Sequence, residues 1–336
     1  MIFAKISPKY YQQVKCLLPE LSKYYDGHEN SNFFNQLVNK DAQDPNGYLT
    51  LRKEIWCALD DSQQFLGFVC LNYKRGNSVK IGPIIVKPES RSRGVGKFLI
   101  NSSLNKLKYE QIRKVYATTS SENVSAISLF KNFGFKLELE LPEQYRVGNK
   151  EFVWGYFLDH PKKTYMTKRS LLDPGSLMKS ECDKVGTFNC DCDSDLRCLR
   201  NAVSVIKIWH EGIDNTFIHQ IIQAIKRGIN FEFKGKIILV TRNLKNQTTG
   251  IVVATPKRGG SVKLYPIYGP SKSQFLLLNN LKVIFKRNQY RKLYTFIHAS
   301  DNKHIQFLKN YGFNLRGKIY SPYKAGHNLA VLDLFL

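Results

Sequence analysis

Two glycines, Gly94 and Gly96, are separated by one residue and stand at the start of a segment with helical periodicity. Glycines at this spacing let the backbone turn so that successive N–H groups point into one concavity, and the following helix adds the positive end of its dipole. Arg91 and Arg93 add two full positive charges at the rim. These residue types at this spacing predict a cradle for a phosphate group.

A second group of residues follows further along the chain. Asn123 precedes Ala126, Leu129 and Phe130 at helical spacing, and Gly134 ends the pattern. Glycine is common just past the end of a helix because it adopts the left-handed conformation without strain. The segment therefore predicts a short helix that begins after Asn123.

Together the two motifs, in residues 86–96 and 123–135, resemble those of the Gcn5-related N-acetyltransferase (GNAT) family. The resemblance implies an α/β (α+β) fold with a mixed, mostly antiparallel central sheet flanked by helices. It also implies acetyl-coenzyme A as co-substrate and no metal. It assigns cofactor binding to residues of the strand, the loop and the second motif: Ile84, Val86, Arg91, Ser92, Arg93, Gly94, Val95, Gly96, Lys97 and Asn123.

The resemblance further implies that a primary amine attacks the thioester directly, while a backbone amide of the strand stabilises the oxyanion. Many family members have a tyrosine where this sequence has Phe130, which cannot protonate the leaving thiolate. Tyr116 is the candidate substitute, and a packed strand tyrosine is the alternative interpretation. Because the strand that holds Thr118 carries no carboxylate, Glu54 and Glu122 remain open as the general base.

The chain also repeats itself. Residues 67–83 match residues 250–266 without a gap, and residues 121–135 resemble residues 300–313. Self-similarity of this kind predicts two tandem copies of one domain. Both copies resemble the acetyltransferase family.

The repeat sets the predicted domain boundaries. Residues 1–160 form a domain with an intact acetyl-coenzyme A loop, residues 161–196 a linker and the start of the second copy, and residues 197–336 a degenerate, strongly basic copy. The second copy has a shorter loop, residues 269–274, in which Pro270 removes a donor N–H. We therefore expect it to bind coenzyme A poorly or not at all.

The net charge of +24 is concentrated in the second half of the chain. Residues 197–336 contain 23 Lys and Arg against 5 Asp and Glu, whereas residues 1–196 contain 28 against 22. Such a field attracts polyanions, nucleic acid first among them. A generally lysine-rich composition is the alternative explanation.

Seven cysteines, an odd number, favour free thiols in a reducing compartment. Cys182, Cys190, Cys192 and Cys198 raise the question of zinc, but they lack a Cys-x-x-Cys pair, so buried cysteines on one strand face are the preferred interpretation. No apolar stretch approaches the ~18 residues needed to cross a bilayer. We expect a soluble, cytoplasmic protein.

The sequence thus predicts an acetyl-coenzyme A-dependent N-acetyltransferase whose active site lies in the N-terminal copy. The acceptor amine could belong to a small molecule, a protein or an aminoacyl-tRNA, and the resemblance puts His28 and Glu29 near its groove, unless they are solvated loop residues. The alternative is a protein that binds acyl-coenzyme A or nucleic acid and has lost catalysis.

Overall fold

The computed structural model of the protein describes residues 1–25, 50–159, 163–172, 184–213, 215–226 and 235–336. The chain divides into two compact units, Met1–Lys162 (unit 1) and Lys163–Leu336 (unit 2). Two sequence predictions lie outside the described residues: the acceptor-side loop with His28 and Glu29, and the environment of Cys182.

Unit 1 is built on a seven-stranded sheet in the order β1-β2-β3-β4-β5-β7-β6. The strands are β1 (Ile2–Lys5), β2 (Thr50–Leu59), β3 (Phe65–Lys74), β4 (Ser78–Val86), β5 (Lys114–Ser120), β6 (Lys136–Pro142) and β7 (Lys150–Phe157). Among these described strands only β4 and β5 run parallel, so the predicted mixed, mostly antiparallel sheet is confirmed. The strands β3 and β4 form a hairpin, with Gly76 and Asn77 at positive φ in its turn.

Helices cover both faces of this sheet. The first face carries α1 (Tyr11–Leu17), which lies between 3₁₀ turns at Pro8–Tyr10 and Leu18–Lys23; the second carries α2 (Val95–Tyr109) and α3 (Val124–Asn132). The helix α1 does not continue beyond Leu17. Pro19 cannot donate the N–H that continuation of α1 needs, so the chain tightens into a 3₁₀ turn.

Each face buries its own apolar core because side chains alternate along the strands. On the first face, Val14 of α1 packs with Phe68 and Cys70. On the second face, Leu99 and Leu107 of α2 pack in a larger cluster. The sheet is therefore buried on both sides, which matches the continuous apolar run of β3.

Unit 2 has the same strand order, β8-β9-β10-β11-β12-β14-β13. Its strands are β8 (Lys184–Thr187), β9 (Ile237–Arg242), β10 (Thr248–Pro256), β11 (Ser261–Tyr268), β12 (Lys292–His298), β13 (Asn314–Ile319) and β14 (Leu329–Phe335). Its helices are α4 (Asp193–Ile206), α5 (Asn215–Ile225), α6 (Ser271–Arg287) and α7 (Asn302–Tyr311). Here too a single pair, β11 and β12, runs parallel.

A matching irregularity marks both sheets. In unit 1, Gly82 and Pro83 stand opposite the single residue Cys70, which makes a β-bulge in β4. In unit 2, Tyr265 and Pro266 stand opposite the single residue Val253. The two bulges occupy the same place in the two strand orders.

The sequence places the opening helices of the second copy within residues 209–225, and α5 lies there, but α4 precedes it from Asp193. Asp193 and Asp195 place negative charge at the N-terminus of α4. The prediction that Cys190 and Cys192 are buried on a strand face is wrong: Cys190 is exposed in a turn, and Cys192 is the N-cap residue of α4. Among the described residues, no cluster of metal-binding side chains occurs and no helix is long and apolar enough to span a membrane.

Candidate active site

The parallel strands β4 and β5 separate from each other partway along their length. They pair only through Ser78, Val79 and Lys80 of β4, and the last pair joins Lys80 to Tyr116. Beyond it β4 continues to pair with β3 alone and β5 with β7 alone. Ile84 and Val86 therefore face an open gap, and Tyr116 stands at its vertex.

The loop between β4 and α2 lies at the end of this gap. It comprises residues 87–94, and its backbone enters the left-handed region at Ser92 (φ 61°) and Gly94 (φ 79°). Within the described structure, the N–H groups of residues 92–97 have no protein acceptor. The first N–H groups of a helix have no partner in their own helix, so a row of donors remains available to an anion.

Two glycines keep this row of donors accessible. A Cβ on Gly94 would meet no atom within 4 Å, and one on Gly96 would reach Leu129 at 3.6 Å. Arg91, Ser92, Arg93 and Lys97 are exposed, whereas Val95 is buried and anchors the first turn of α2. The sequence-predicted loop residues are thus brought together around one concavity.

Arg91 is not free at the rim. Its Nη2 donates to Oε2 of Glu20 at 2.7 Å, and its Nε donates to the carbonyl of Val86 at 3.2 Å. Hydrogen bonds from Lys23 and from Arg91 hold the pKa of Glu20 below its usual range. An anion at the loop would therefore compete with Glu20 for Arg91.

Asn123 has a structural role that the sequence analysis did not assign. It is the N-cap of α3, and its Oδ1 accepts from the N–H of Ala126 at 3.0 Å. Such a cap satisfies one of the unpaired donors of the first turn. The side-chain Nδ2 remains available to a ligand, so the predicted contact with the cofactor stays a prediction.

A buried carboxylate, Glu151, stands beside β5 and was missed by the sequence analysis. Glu151 pairs with Ser120 across β5 and β7 and is only 3% exposed. Hydroxyls of Thr118 and Tyr25 hydrogen-bond to it, but its Oε1 has no hydrogen-bond partner among the described residues. Burial raises the pKa of Glu151 to about 7, although Thr118, the charge of Lys80 and Tyr25 pull it down.

A polar network fixes the open end of β5 around this carboxylate. The Ser120 N–H donates to the Tyr25 hydroxyl at 3.2 Å, and Asn149 Nδ2 donates to Ser120 Oγ at 2.7 Å. Burial and the nearby charge of Glu151 raise the pKa of Tyr25 above its usual range. Tyr25 therefore stays protonated and can donate to Glu151, which favours the ionised carboxylate.

The two carboxylates proposed from sequence lie in other environments. Glu54 accepts from Trp56 Nε1 at 3.0 Å and from Arg52 Nε at 3.1 Å. Burial works to raise the pKa of Glu54, but the Trp56 hydrogen bond and the charges of Lys106 and Arg52 outweigh it and lower the pKa. Glu122 is exposed in the turn after β5. The pKa of Glu54 is thus lowered, whereas that of Glu151 is raised.

The two aromatic residues of the predicted chemistry differ in their surroundings. Phe130 is 3% exposed and packs edge to face on Phe135, with ring centroids 5.0 Å apart, so it belongs to the core of unit 1. Tyr116 is half-buried at the vertex of the gap. Its role as an acid stays a prediction.

In unit 2 the position of the loop is closed by protein. Only residues 269–270 separate β11 from α6, and Pro270 caps the helix. Leu171 is 1% exposed. Its carbonyl oxygen accepts hydrogen bonds from the N–H of Gly269 at 3.0 Å and from Gln274 Nε2 at 3.0 Å. The pattern of buried leucines aligns α6 with α2 and places Gln274 where α2 has Gly96. A side chain and a carbonyl thus fill the space that is open in unit 1.

The carboxylate is also missing from unit 2. Strand pairing aligns His298 with Ser120, and the residue opposite His298 is Leu329, where unit 1 has Glu151. By the same register Phe296 replaces Thr118. The described part of unit 2 therefore has apolar side chains in place of the buried acid and its hydrogen-bond donor.

The sequence comparisons concern the first unit. The acetyltransferase (GNAT) family model matches residues 19–135. A comparison with curated protein sequences gave no match.

Several solved structures resemble about half of the chain. A chimeric spermidine N-acetyltransferase from Vibrio cholerae has 19% identity, covering 47% of this chain and 97% of that chain, with a TM-score of 0.38. An N-acetyltransferase from Staphylococcus aureus has 13% identity, covering 47% and 98%, with a TM-score of 0.40. An aminoglycoside 6'-N-acetyltransferase complexed with coenzyme A has 14% identity, covering 47% and 97%, with a TM-score of 0.37.

The family match includes β4, the loop of residues 87–94 and α2. It covers the gap between β4 and β5, the row of unbonded amides and the helix capped by Asn123, and it ends before Glu151. Residues 19–135 of this chain therefore match the acetyltransferase (GNAT) family.

Proposed function

We propose that unit 1 transfers an acetyl group from acetyl-coenzyme A to an amine and that unit 2 has no such activity. The observation that carries the proposal is a contrast between two units with the same strand order. Unit 1 combines an open loop of unbonded amides with a buried carboxylate, and unit 2 has Gln274 and Leu329 at the corresponding positions. We interpret the two units as tandem copies of one domain.

The loop would hold the pyrophosphate of coenzyme A on the amides of residues 92–97. The helix dipole of α2 and the side chains of Arg93 and Lys97 add positive charge at the same place. Ile84 and Val86 would lie along the arm that carries the thioester, and a backbone N–H of this strand would donate to the carbonyl oxygen as it becomes an oxyanion.

In the chemical step the amine nitrogen attacks the thioester carbon, the C–N bond forms, and the C–S bond then breaks. The attacking amine must lose a proton, and Glu151 is the group whose pKa suits this task near neutral pH. Tyr25 and Thr118 orient its carboxylate. The thiolate leaves and takes a proton from Tyr116 or from solvent.

Calorimetric titration of acetyl-coenzyme A tests the proposal. We expect the wild type to bind one molecule and the Gly94→Asp, Gly96→Asp variant to bind none, because two carboxylates would then repel the phosphates. Gly148→Asp is the matched control: Gly148 also has a positive φ (73°) and open space at its Cβ, but it lies outside the loop. We expect this control to bind like the wild type.

Other results would contradict the proposal in distinct ways. Two sites in the wild type would mean that unit 2 also binds the cofactor. One site with no turnover over a panel of amines would favour a protein that binds acyl-coenzyme A and has lost catalysis. The panel should include polyamines, peptide N-termini and aminoacyl-tRNA, which represent small-molecule, protein and RNA-linked amines.

A further inference from the structure

The two units differ in charge although their strand orders are the same. Residues 50–159, which run from β2 to β7, contain 17 Lys and Arg and 11 Asp and Glu, a net charge of +6. Residues 235–336, which run from β9 to β14, also contain 17 Lys and Arg but only 2 acidic residues, a net charge of +15. Both ranges contain the same number of Lys and Arg, so a lysine-rich composition does not explain the difference in net charge. The difference arises because residues 235–336 contain fewer acidic residues.

The two remaining acids contribute nothing to the surface of this region. Asp301 is 7% exposed and caps α7 through a hydrogen bond from the N–H of His304. Asp333 is fully buried and pairs with Lys292 at 3.1 Å and Arg316 at 2.6 Å. All exposed side-chain charge in residues 235–336 is therefore positive.

Part of this charge forms a stripe along α6. Five residues at spacings of three and four lie on one side of the helix, opposite the buried Leu277 and Leu281. We call them the α6 stripe: Lys272, Phe275, Asn279, Lys282 and Lys286.

Tyr311 of α7 lies beside the middle of the α6 stripe. Its ring meets Phe275 edge to face at 5.5 Å between centroids, its hydroxyl donates to Asn279 Oδ1 at 2.7 Å, and Lys282 Nζ stands 5.7 Å from the ring centroid. Phe275 is 49% exposed, which leaves much of its ring accessible to solvent. The stripe therefore combines three cations with an exposed aromatic platform.

We infer that the α6 stripe binds single-stranded nucleic acid, with the lysines on phosphates and an unpaired base on Phe275. Lysine ammonium groups along a helix neutralise a phosphate backbone, and an exposed ring accepts any base by stacking. Asn279, whose Oδ1 accepts a hydrogen bond from Tyr311, adds an amide N–H donor between the lysines and Phe275. A surface of this chemistry fits a single strand better than a duplex, whose bases are already stacked.

The test uses the full-length protein and fluorescein-labelled 20-mers of uridine and of thymidine, with fluorescence anisotropy over a series of salt concentrations. For single strands the slope of log K against log salt is about −0.7 per phosphate contact. For the Lys272→Gln, Lys282→Gln, Lys286→Gln variant we expect a slope that is smaller in magnitude than the wild-type slope by about 2. We expect Phe275→Ala to weaken binding about fivefold or more with the slope unchanged.

Two controls make the result specific to the stripe. The Lys108→Gln, Lys131→Gln, Lys136→Gln variant removes the same number of positive charges as the stripe variant, but from exposed residues of unit 1. We expect its affinity for the oligonucleotides to change little. Saturating acetyl-coenzyme A occupies the loop of unit 1. It should leave nucleic-acid binding unchanged, because the α6 stripe belongs to unit 2.

The inference is overturned if the salt-dependence slope of the unit 1 variant decreases as much as that of the stripe variant, because lysines elsewhere on the surface would then contribute equally to binding. It is also overturned if polyphosphate, which has no bases, competes as well per charge as the oligonucleotides and Phe275→Ala has no effect. Tighter binding of the uridine than of the thymidine 20-mer would identify RNA as the source of the strand, and the reverse would identify DNA.

Discussion

Glu151 is the residue on which the proposed chemistry depends. It is a carboxylate in an apolar strand of unit 1, and its neighbours Thr118 and Tyr25 hold it without neutralising it. A base with a pKa near 7 is ionised at neutral pH and still takes up a proton readily. The unbonded Oε1 provides the lone pair for that proton.

We expect Glu151→Gln to lower kcat by about 10²- to 10⁴-fold, because a general base contributes about this factor. In the wild type kcat should rise as pH increases through about 7, since Glu151 becomes ionised above its pKa. The variant should lack this rise, and the dissociation constant for acetyl-coenzyme A should stay within a few-fold of the wild type. Rate profiles from pH 5 to 9 provide the measurement.

Glu122→Gln is the control for this experiment. Glu122 is the exposed carboxylate in the turn after β5, and the sequence leaves it open as a base. A rise in kcat that disappears in Glu122→Gln and persists in Glu151→Gln would refute the assignment of the base.

Among the elements, α3 combines a stability role and a ligand role in one side chain. Asn123→Ala should lower the free energy of unfolding by about 1 kcal/mol, because the N-cap hydrogen bond to Ala126 is lost. Asn123→Asp keeps an oxygen at the cap and should retain stability, but it removes the Nδ2 donor. If Asn123 contacts the cofactor, both variants bind acetyl-coenzyme A more weakly.

Chemical denaturation and titration of the same two variants separate the roles. Weak cofactor binding by Asn123→Ala alone would mean that capping is the whole role of this residue. Asp301 of α7 caps its helix in the same way and serves as the stability reference in unit 2.

The elements also show how far sequence reasoning reaches. The motifs near Gly94 and Asn123 predict their strand, loop and helices because those residues act locally, through φ preference and capping. Glu151 could not be placed because its role depends on pairing with β5, about thirty residues earlier in the chain. Its one local signal is a lone acid at the start of the apolar run that contains Trp154.

Closure of the loop in unit 2 was harder to predict than its shortening. The shorter loop and Pro270 are visible in the sequence, but the carbonyl that fills the site comes from Leu171, about a hundred residues earlier in the chain. The same applies to Glu20, whose ion pair with Arg91 joins a 3₁₀ turn to the loop. Contacts between distant segments have no periodicity that a sequence pattern could reveal.

At the scale of the whole molecule, each unit has its own sheet and its own core, so a ligand of unit 1 should stabilise unit 1 alone. At 100 times its dissociation constant, acetyl-coenzyme A adds about 2.7 kcal/mol to the stability of the unit that binds it. For a unit of this size that raises the melting temperature by roughly 5 to 10 °C. Differential scanning calorimetry should show one transition that moves with ligand and one that does not.

The Gly94→Asp, Gly96→Asp variant should lose this shift while it keeps both transitions. Equal shifts of both transitions in the wild type would show that the two units bind the cofactor alike, or that they unfold as one. The variant distinguishes these cases, because independent binding by unit 2 would leave one shift in place.

The closed loop of unit 2 also bears on how this chain can change over generations. Gln274 Nε2 donates to the carbonyls of Leu171 and Gly269, so replacing the glutamine by a glycine removes two buried hydrogen bonds and costs stability. New glycines in the loop would still meet a space that is filled. Each single substitution towards an open loop in unit 2 therefore passes through a less stable protein, so such a loop is difficult to gain one substitution at a time.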